Sequence, residues 1–170
     1  ADKRLRLLAE KQIAPLDHPK QAQQITAPPP SGDIAKLLGE ARDSLSHGDA
    51  QGALQKYEAV LAKQPDNLVA LYFAGNLSLQ LKQVKQGLTH LARAATIAPN
   101  DPRVWLVLGR AYEQYATPED AIRVYRHILQ SAPKSPQANE ADKRLRLLSG
   151  KQMATLGHPK QAQKILENLS

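Results

Sequence analysis

Residues 102–135 read PRVWLVLGRAYEQYATPEDAIRVYRHILQSAPKS, and this stretch decides the fold. It divides into two amphipathic segments, each opened by a helix-start signal. Asp101 stands where it can cap the first segment, with Pro102 at its first position, and Thr117-Pro118-Glu119-Asp120 repeats the arrangement for the second. Pro133 closes the second segment, because proline lacks the N–H that a continuing helix needs. Trp105, Leu108, Tyr112, Val124, Tyr125 and Ile128 fill the seam between the segments, and the small Gly109 and Ala121 let the two helices approach closely. The stretch therefore predicts a helix hairpin.

The hairpin recurs. Pro65, Pro99 and Pro133 lie at intervals of 34, as do Ala53, Gly87 and Ala121. Alignment on these two markers gives three units, 34–67, 68–101 and 102–135. Leu37, Leu71 and Trp105 then share a column, as do Ala41, Gly75 and Gly109, and Tyr57, Leu91 and Tyr125. In the first unit Gly48-Asp49 supplies the second start signal. One hairpin cannot bury both of its faces, so each unit must stack on the next. The pattern Trp105, Leu108, Gly109, Tyr112, Ala121, Tyr125 and Pro133 resembles the tetratricopeptide-repeat family, and the resemblance extends over 34–135, with 143–170 and 3–24 matching in part. It weakens at Glu40 and Ser44, where the family usually carries larger apolar residues. The fold this resemblance implies is all-α, a right-handed solenoid of antiparallel helix hairpins.

Residues 1–24 match residues 141–164 at 18 of 24 positions, a duplication at an offset of 140. In the second copy Gly150 and Ala162 fall on the small-residue columns, which predicts a fourth hairpin over 143–170 after an insertion from Pro136 to Asp142. The first copy is a truncated hairpin over 1–26. A Pro-rich linker over 27–33 follows it, containing Ala27-Pro28-Pro29-Pro30-Ser31-Gly32, which cannot continue a helix. The first copy is either the end of a preceding module in a longer array, a half-repeat whose Leu5, Leu7, Leu8 and Ile13 need cover from elsewhere, or a frayed tail. A start at Ala1 rather than Met fits a processed product or a piece of a longer chain.

Composition agrees with a packed helical array. Of 170 residues, 42% are hydrophobic and only 4% aromatic, enough apolar content to bury a shared core. The absence of cysteine excludes disulfides and thiolate metal sites, and leaves cytoplasm and periplasm equally open. No stretch approaches the roughly 18 to 20 apolar residues that cross a bilayer. The formal net charge of +7 is concentrated at one end, since 143–170 carries six Lys and Arg against Glu167 alone. Such a charge steers acidic proteins, anionic lipid or nucleic acid. Nucleic acid is disfavoured, because no aromatic stacking platform accompanies the cations.

Nothing in the sequence reads as an active site, and no cofactor is expected. His18, His47, His90, His127 and His158 have no histidine or cysteine at metal-ligand spacing, so a metal site is not predicted. The glycines occur singly rather than in a phosphate-cradling loop. Glu119 and Asp120 lie at a helix start, where carboxylates favour the helix dipole, and capping explains them better than catalysis.

The resemblance implies that the first helix of each hairpin lines an inner groove. Transferred column by column, one inner row holds Arg42, Asn76, Arg110 and Lys151, and its neighbour holds Leu38, Tyr72, Leu106 and Leu147. A further column holds Ala35, Val69, Arg103 and Arg144. This mixture of apolar strip and cations suits an extended peptide with an apolar anchor and acidic neighbours. The chaperone-tail subclass of the family is disfavoured, since Leu38, Arg42, Phe73 and Val107 occupy four of its gripping columns and only Arg103 is compatible. The expectation is a non-catalytic protein-binding scaffold, by analogy one serving bacterial envelope, pilus or export assembly. The alternative is a self-assembling structural protein that forms homo-oligomers through its terminal repeats.

Overall fold

The structure, a computed structural model, describes residues 32–155. The predicted hairpin over 1–26, most of the linker and the second half of the predicted fourth hairpin lie outside the described residues. Within them the chain forms α1 (Gly32–Ser46), α2 (Ala50–Lys63), α3 (Leu68–Gln80), α4 (Val84–Ile97), α5 (Pro102–Tyr115), α6 (Pro118–Ser131) and α7 (Pro136–Thr155). Consecutive helices pack as the hairpins α1–α2, α3–α4 and α5–α6, and α7 lies against both α6 and α5.

The start signals act as the sequence suggests. Asp101 accepts from the Arg103 amide at 3.0 Å, Thr117 Oγ1 from the Asp120 amide at 3.2 Å, and Asp49 from the Gly52 amide at 2.8 Å. These bonds satisfy donors that the first turn of a helix leaves unpaired. The helices α2, α4 and α6 end at Lys63, Ile97 and Ser131, each just ahead of the residue that precedes its proline. That residue is pushed out of the helical region by the proline ring. The turn between α1 and α2 uses Gly48 at φ 76°, and the equivalent position one repeat later holds Lys82 at φ 64°, a conformation that costs a side-chain-bearing residue more than glycine.

Two boundaries differ from expectation. The linker predicted to reach 33 stops earlier, because α1 includes Gly32 and Asp33. In a first turn a glycine forfeits no internal hydrogen bond and an aspartate favours the dipole, so both fit there. The second correction matters more. Pro136 follows Pro102 by 34 residues, and α7 runs unbroken from Pro136 to Thr155, through the predicted insertion at 136–142. Ser135 Oγ accepts from the Ala138 amide at 3.1 Å, so Ser135-Pro136 repeats the cap-and-proline start of Asp101-Pro102. The period is therefore not broken at this point. Alignment on the duplicated segment, which begins at residue 141, hid a helix start five residues earlier.

The core is centred on α3, where residues 69–75 and 77–79 are all buried. A helix that is apolar all round needs cover all round, and α3 receives it from α2, α4 and α5. Tyr57 of α2 stacks on Phe73 with ring centres 5.3 Å apart, and Tyr72 meets Phe73 edge-on at 5.4 Å. Close approach within the hairpins rests on glycine: a Cβ at Gly75 would stand 2.7 Å from Leu91, and one at Gly109 would stand 2.5 Å from the Tyr125 ring. Beyond α5 a second apolar cluster joins Ala121, Ile122, Tyr125 and Ile128 of the third hairpin to Ala138, Ala141 and Leu148 of α7.

Candidate functional site

The first helices of the hairpins, α1, α3 and α5, together with α7, carry the predicted groove residues, and the structure sorts these into three kinds. Leu38 and Tyr72 are buried at 6% and 3% exposure, so they belong to the core rather than to an open apolar strip. Both side chains belong to the main apolar cluster of the fold. Leu106 and Leu147 are half-buried.

The cations are unequal. Arg103 is held by Asp101, with Nε to Oδ1 at 2.9 Å and Nη2 to Oδ2 at 2.7 Å, a two-pronged bond that commits it to its own helix cap. Burial pushes the Asp101 carboxyl up, and the bonds from Arg103 outweigh this and hold it below the usual range. Arg42 is exposed and has no ion-pair partner among the described residues. Asn76 is half-buried and donates Nδ2 to the Tyr72 carbonyl at 2.8 Å. Arg110 is exposed and touches Glu140 at 3.4 Å.

Arg144 is a correction to the predicted columns. It was expected beside Arg103, with Lys151 continuing the row of Arg110; the unbroken period puts Arg144 next to Arg110 instead, both reaching Glu140. The row is therefore Arg42, Asn76, Arg110 and Arg144, spaced by 34. Lys151 lies further along α7, and its side chain is outside the described residues.

Around Arg144 the structure builds a polar network that sequence reading missed. Tyr125 Oη donates to Glu113 Oε2 at 2.8 Å, Arg144 Nη1 donates to the same oxygen at 2.9 Å, and Arg144 Nε donates to Glu140 at 2.6 Å. Burial disfavours the Arg144 charge, and the bonds to Glu113 and Glu140 outweigh it, so the guanidinium stays firmly protonated. Burial likewise raises Glu140, and Arg144 and Arg110 more than reverse this. The Tyr125 phenol is pushed up by burial and then by Glu113. The signal for this site was available in Ser135-Pro136, which fixes the register of α7.

The second helices carry histidines in structural contacts. His90 Nε2 lies 2.8 Å from Glu58, and the His127 ring packs tilted against Trp105 with centres 4.1 Å apart while Trp105 Nε1 donates to the Pro99 carbonyl at 2.9 Å. Among the described residues no group of three His, Cys, Asp or Glu side chains is arranged to hold a metal ion. No helix among them is long and apolar enough to cross a membrane.

Stacked antiparallel helix hairpins define a class, the helical-repeat scaffold. A family profile described as tetratricopeptide repeat matches residues 44–111 and 79–141, together more than half of the chain, and the chain belongs to that family. Its fold is accordingly the right-handed solenoid of antiparallel hairpins, and its type is that of a protein–protein interaction scaffold. The chain is 30% identical over 101 residues to tetratricopeptide repeat protein 37 of Xenopus laevis, covering 58% of this chain and 6% of that one. A tetratricopeptide repeat protein from Parabacteroides merdae superposes with a TM-score of 0.66 at 20% identity, over 80% of this chain and 50% of that one. The first TPR of Spaghetti (RPAP3) bound to the HSP90 peptide SRMEEVD superposes with a TM-score of 0.61 at 18% identity, over 71% of this chain and 93% of that one. The chain thus spans a small part of its curated relative.

Proposed function

We propose that the face formed by α1, α3 and α5 binds an extended segment of a partner protein, rich in acidic and apolar residues, without catalysis. The observation that carries this reading is the row Arg42, Asn76 and Arg110, one residue per repeat, in which Arg42 has no ion-pair partner among the described residues and Arg110 is exposed with one long contact. Half-buried Leu106 supplies apolar surface one turn from Arg110. Regularly spaced donors along stacked helices match the repeat of an extended chain, and charge-assisted bonds favour carboxylates on it. The peptide-bound RPAP3 structure supports the reading at the level of fold.

The test is affinity capture from a lysate of the source organism, comparing the whole chain with the variant Arg42→Glu/Arg110→Glu, after circular dichroism shows both to be folded. Loss of the same partner in the charge-reversed variant is expected; identical capture by both rejects this face. A second reading, self-assembly, is favoured by one observation: ADKRLRLL at 1–8 is identical to 141–148, which contains the docking residues Ala141 and Leu148 of α7. The first segment thus carries, at Ala1 and Leu8, the same residue types that dock α7. Light scattering across concentrations, with and without residues 1–31, checks it, and a monomer in both cases rejects it.

A further inference from the structure

Tyr57 and Tyr125 occupy the same position in their repeats and end in opposite environments. The Tyr125 hydroxyl is satisfied by Glu113, which Arg144 also holds. The Tyr57 side chain is completely buried, and its hydroxyl has no hydrogen-bond partner among the described residues. A buried hydroxyl left unpaired costs about 1–3 kcal/mol, so a position that keeps it calls for an explanation. Subtracting two periods from the members of the satisfied network shows what differs. Glu113 corresponds to Leu45, so the carboxylate is missing; Arg144 corresponds to Asn76, a neutral donor; Arg110 corresponds to Arg42, which is exposed and lacks an ion-pair partner among the described residues. Burial pushes the Tyr57 phenol up to about 12, and the Arg42 charge opposes the rise. Leu45 and Arg42, three residues apart on α1, share one helix face.

We propose that Tyr57 and Arg42 form an anchor site for one aspartate or glutamate side chain of the partner segment, which takes the place that Glu113 fills between Tyr125 and Arg144. This rests on the reading of the inner face given above and specifies its ligand chemistry. The molecule itself supplies a template for the chemistry, a tyrosine hydroxyl and a guanidinium converging on the Glu113 carboxylate; the guanidinium there is Arg144, whose column holds Asn76 two repeats earlier, so at Tyr57 the cation comes instead from Arg42 of α1. An O–H to carboxylate bond is among the stronger hydrogen bonds, and it would remove the penalty on the buried hydroxyl. The hydroxyl is closed from solvent, so the carboxylate reaches it only with a shift of neighbouring side chains; Leu45, in the Glu113 column, is half-buried. Lys56 is not the receptor, because it is engaged by Glu40 at 2.6 Å.

The experiment is selection of a random 12-residue peptide library on the full chain, the peptides displayed with flanking sequence on both sides so that no free C-terminus is present. Enriched peptides are expected to share an aspartate or glutamate. Their affinity is expected to fall by about tenfold or more for Tyr57→Phe, which keeps the ring and its stack on Phe73, and for Arg42→Ala. Leu45→Glu is expected to abolish binding while preserving the helical spectrum, because the protein then supplies its own carboxylate. Exchange of the acidic peptide residue for its amide should match the loss seen in Tyr57→Phe. Enriched peptides that lose affinity in Arg110→Glu yet carry no acidic residue, or bind Tyr57→Phe as tightly as wild type, overturn the anchor and leave the inner-face reading standing. A library that yields no enriched peptide overturns both.

Discussion

The junction between the first and second repeats and the junction between the third repeat and α7 are built on the same columns and held by different chemistry. At the first, Tyr57 stacks on Phe73, Leu45 packs on the apolar core, and Asn76 turns back to its own helix carbonyl. At the last, the same columns hold Tyr125, Glu113 and Arg144, joined by hydrogen bonds under 3 Å, with Glu140 completing the set. The first junction gains stability from buried area, which is tolerant of small shifts. The last gains register, because a guanidinium between two carboxylates has one good arrangement. The difference fits their neighbours: α3 is buried along most of its length, with Asn76 half-buried, whereas among the described side chains α7 offers Ala138, Ala141 and Leu148 as buried apolar docking residues. With a thinner apolar face, the polar network fixes where α7 sits.

The largest expected effect comes from breaking that network. Arg144→Ala leaves Glu113 without its cation and Glu140 with only the 3.4 Å contact of Arg110, and is expected to cost about 2–3 kcal/mol, somewhat below a fully buried pair because all three side chains retain partial exposure. Urea unfolding monitored by circular dichroism gives the number, and hydrogen exchange should show α7 opening ahead of α3. No change in either would mean that α7 is held by its apolar contacts alone.

The two tyrosines separate the junctions by sign. Tyr125→Phe removes a bond to a charged acceptor and is expected to lose about 1.5–2 kcal/mol. Tyr57→Phe removes a hydroxyl that has no partner among the described residues, and is expected to leave stability unchanged or raise it by up to about 1 kcal/mol. Paired denaturation curves decide this, and equal losses at both sites would erase the distinction between the junctions.

Acid should act on the last junction first. The Glu140 carboxyl is raised by burial and lowered further by Arg144 and Arg110, for a net value below the ordinary glutamate range. A group whose folded pKa is depressed contributes stability above its unfolded value, near 4.3, and loses that contribution as pH falls through the folded value. Amide exchange followed from about pH 6 down to pH 3 is therefore expected to show α7 deprotected below roughly pH 4, while residues 69–75 of α3 stay protected. Simultaneous loss of both would show that the array melts as one unit.

Much of this architecture was legible in the sequence, and the missing parts have physical reasons. Caps, prolines and small residues are local signals, so the hairpins could be read from Asp101-Pro102, Thr117-Pro118 and the Gly109 and Ala121 columns. The start of α7 is equally local in Ser135-Pro136, but the duplicated segment beginning at 141 points to a different register, in which Arg144 falls beside Arg103 instead of Arg110. The groove was legible only in part. Columns say which face a residue is on, yet exposure depends on what the neighbouring helices contribute, and so Leu38 and Tyr72 proved to be core. Arg103 was counted as an available cation because its partner, Asp101, had been read only as a helix cap. Pairs such as Tyr125 with Glu113, or Glu113 with Arg144, bring together side chains from different helices, and no single-helix pattern announces them.

The smallest expected effect is the most direct check on the comparison, because it transplants one junction into the other. Leu45→Glu alone introduces a half-buried carboxylate beside the Tyr57 hydroxyl, losing apolar contact while gaining one bond, and Asn76→Arg alone introduces a cation without a buried carboxylate to meet it. Together they supply the Glu113 and Arg144 equivalents at once. If the columns are structurally equivalent, the double variant should be more stable than the sum of the single changes by about 1 kcal/mol, the size expected for coupled residues that touch. A double-mutant cycle from four denaturation curves measures that term. Additive behaviour would mean that α1 and α3 are spaced or rotated differently from α5 and α7, so that the carboxylate cannot reach both partners. In that case the Tyr57 hydroxyl would also be out of reach of a ligand approaching along Arg42, and the anchor site would fail on geometry before any peptide was tried.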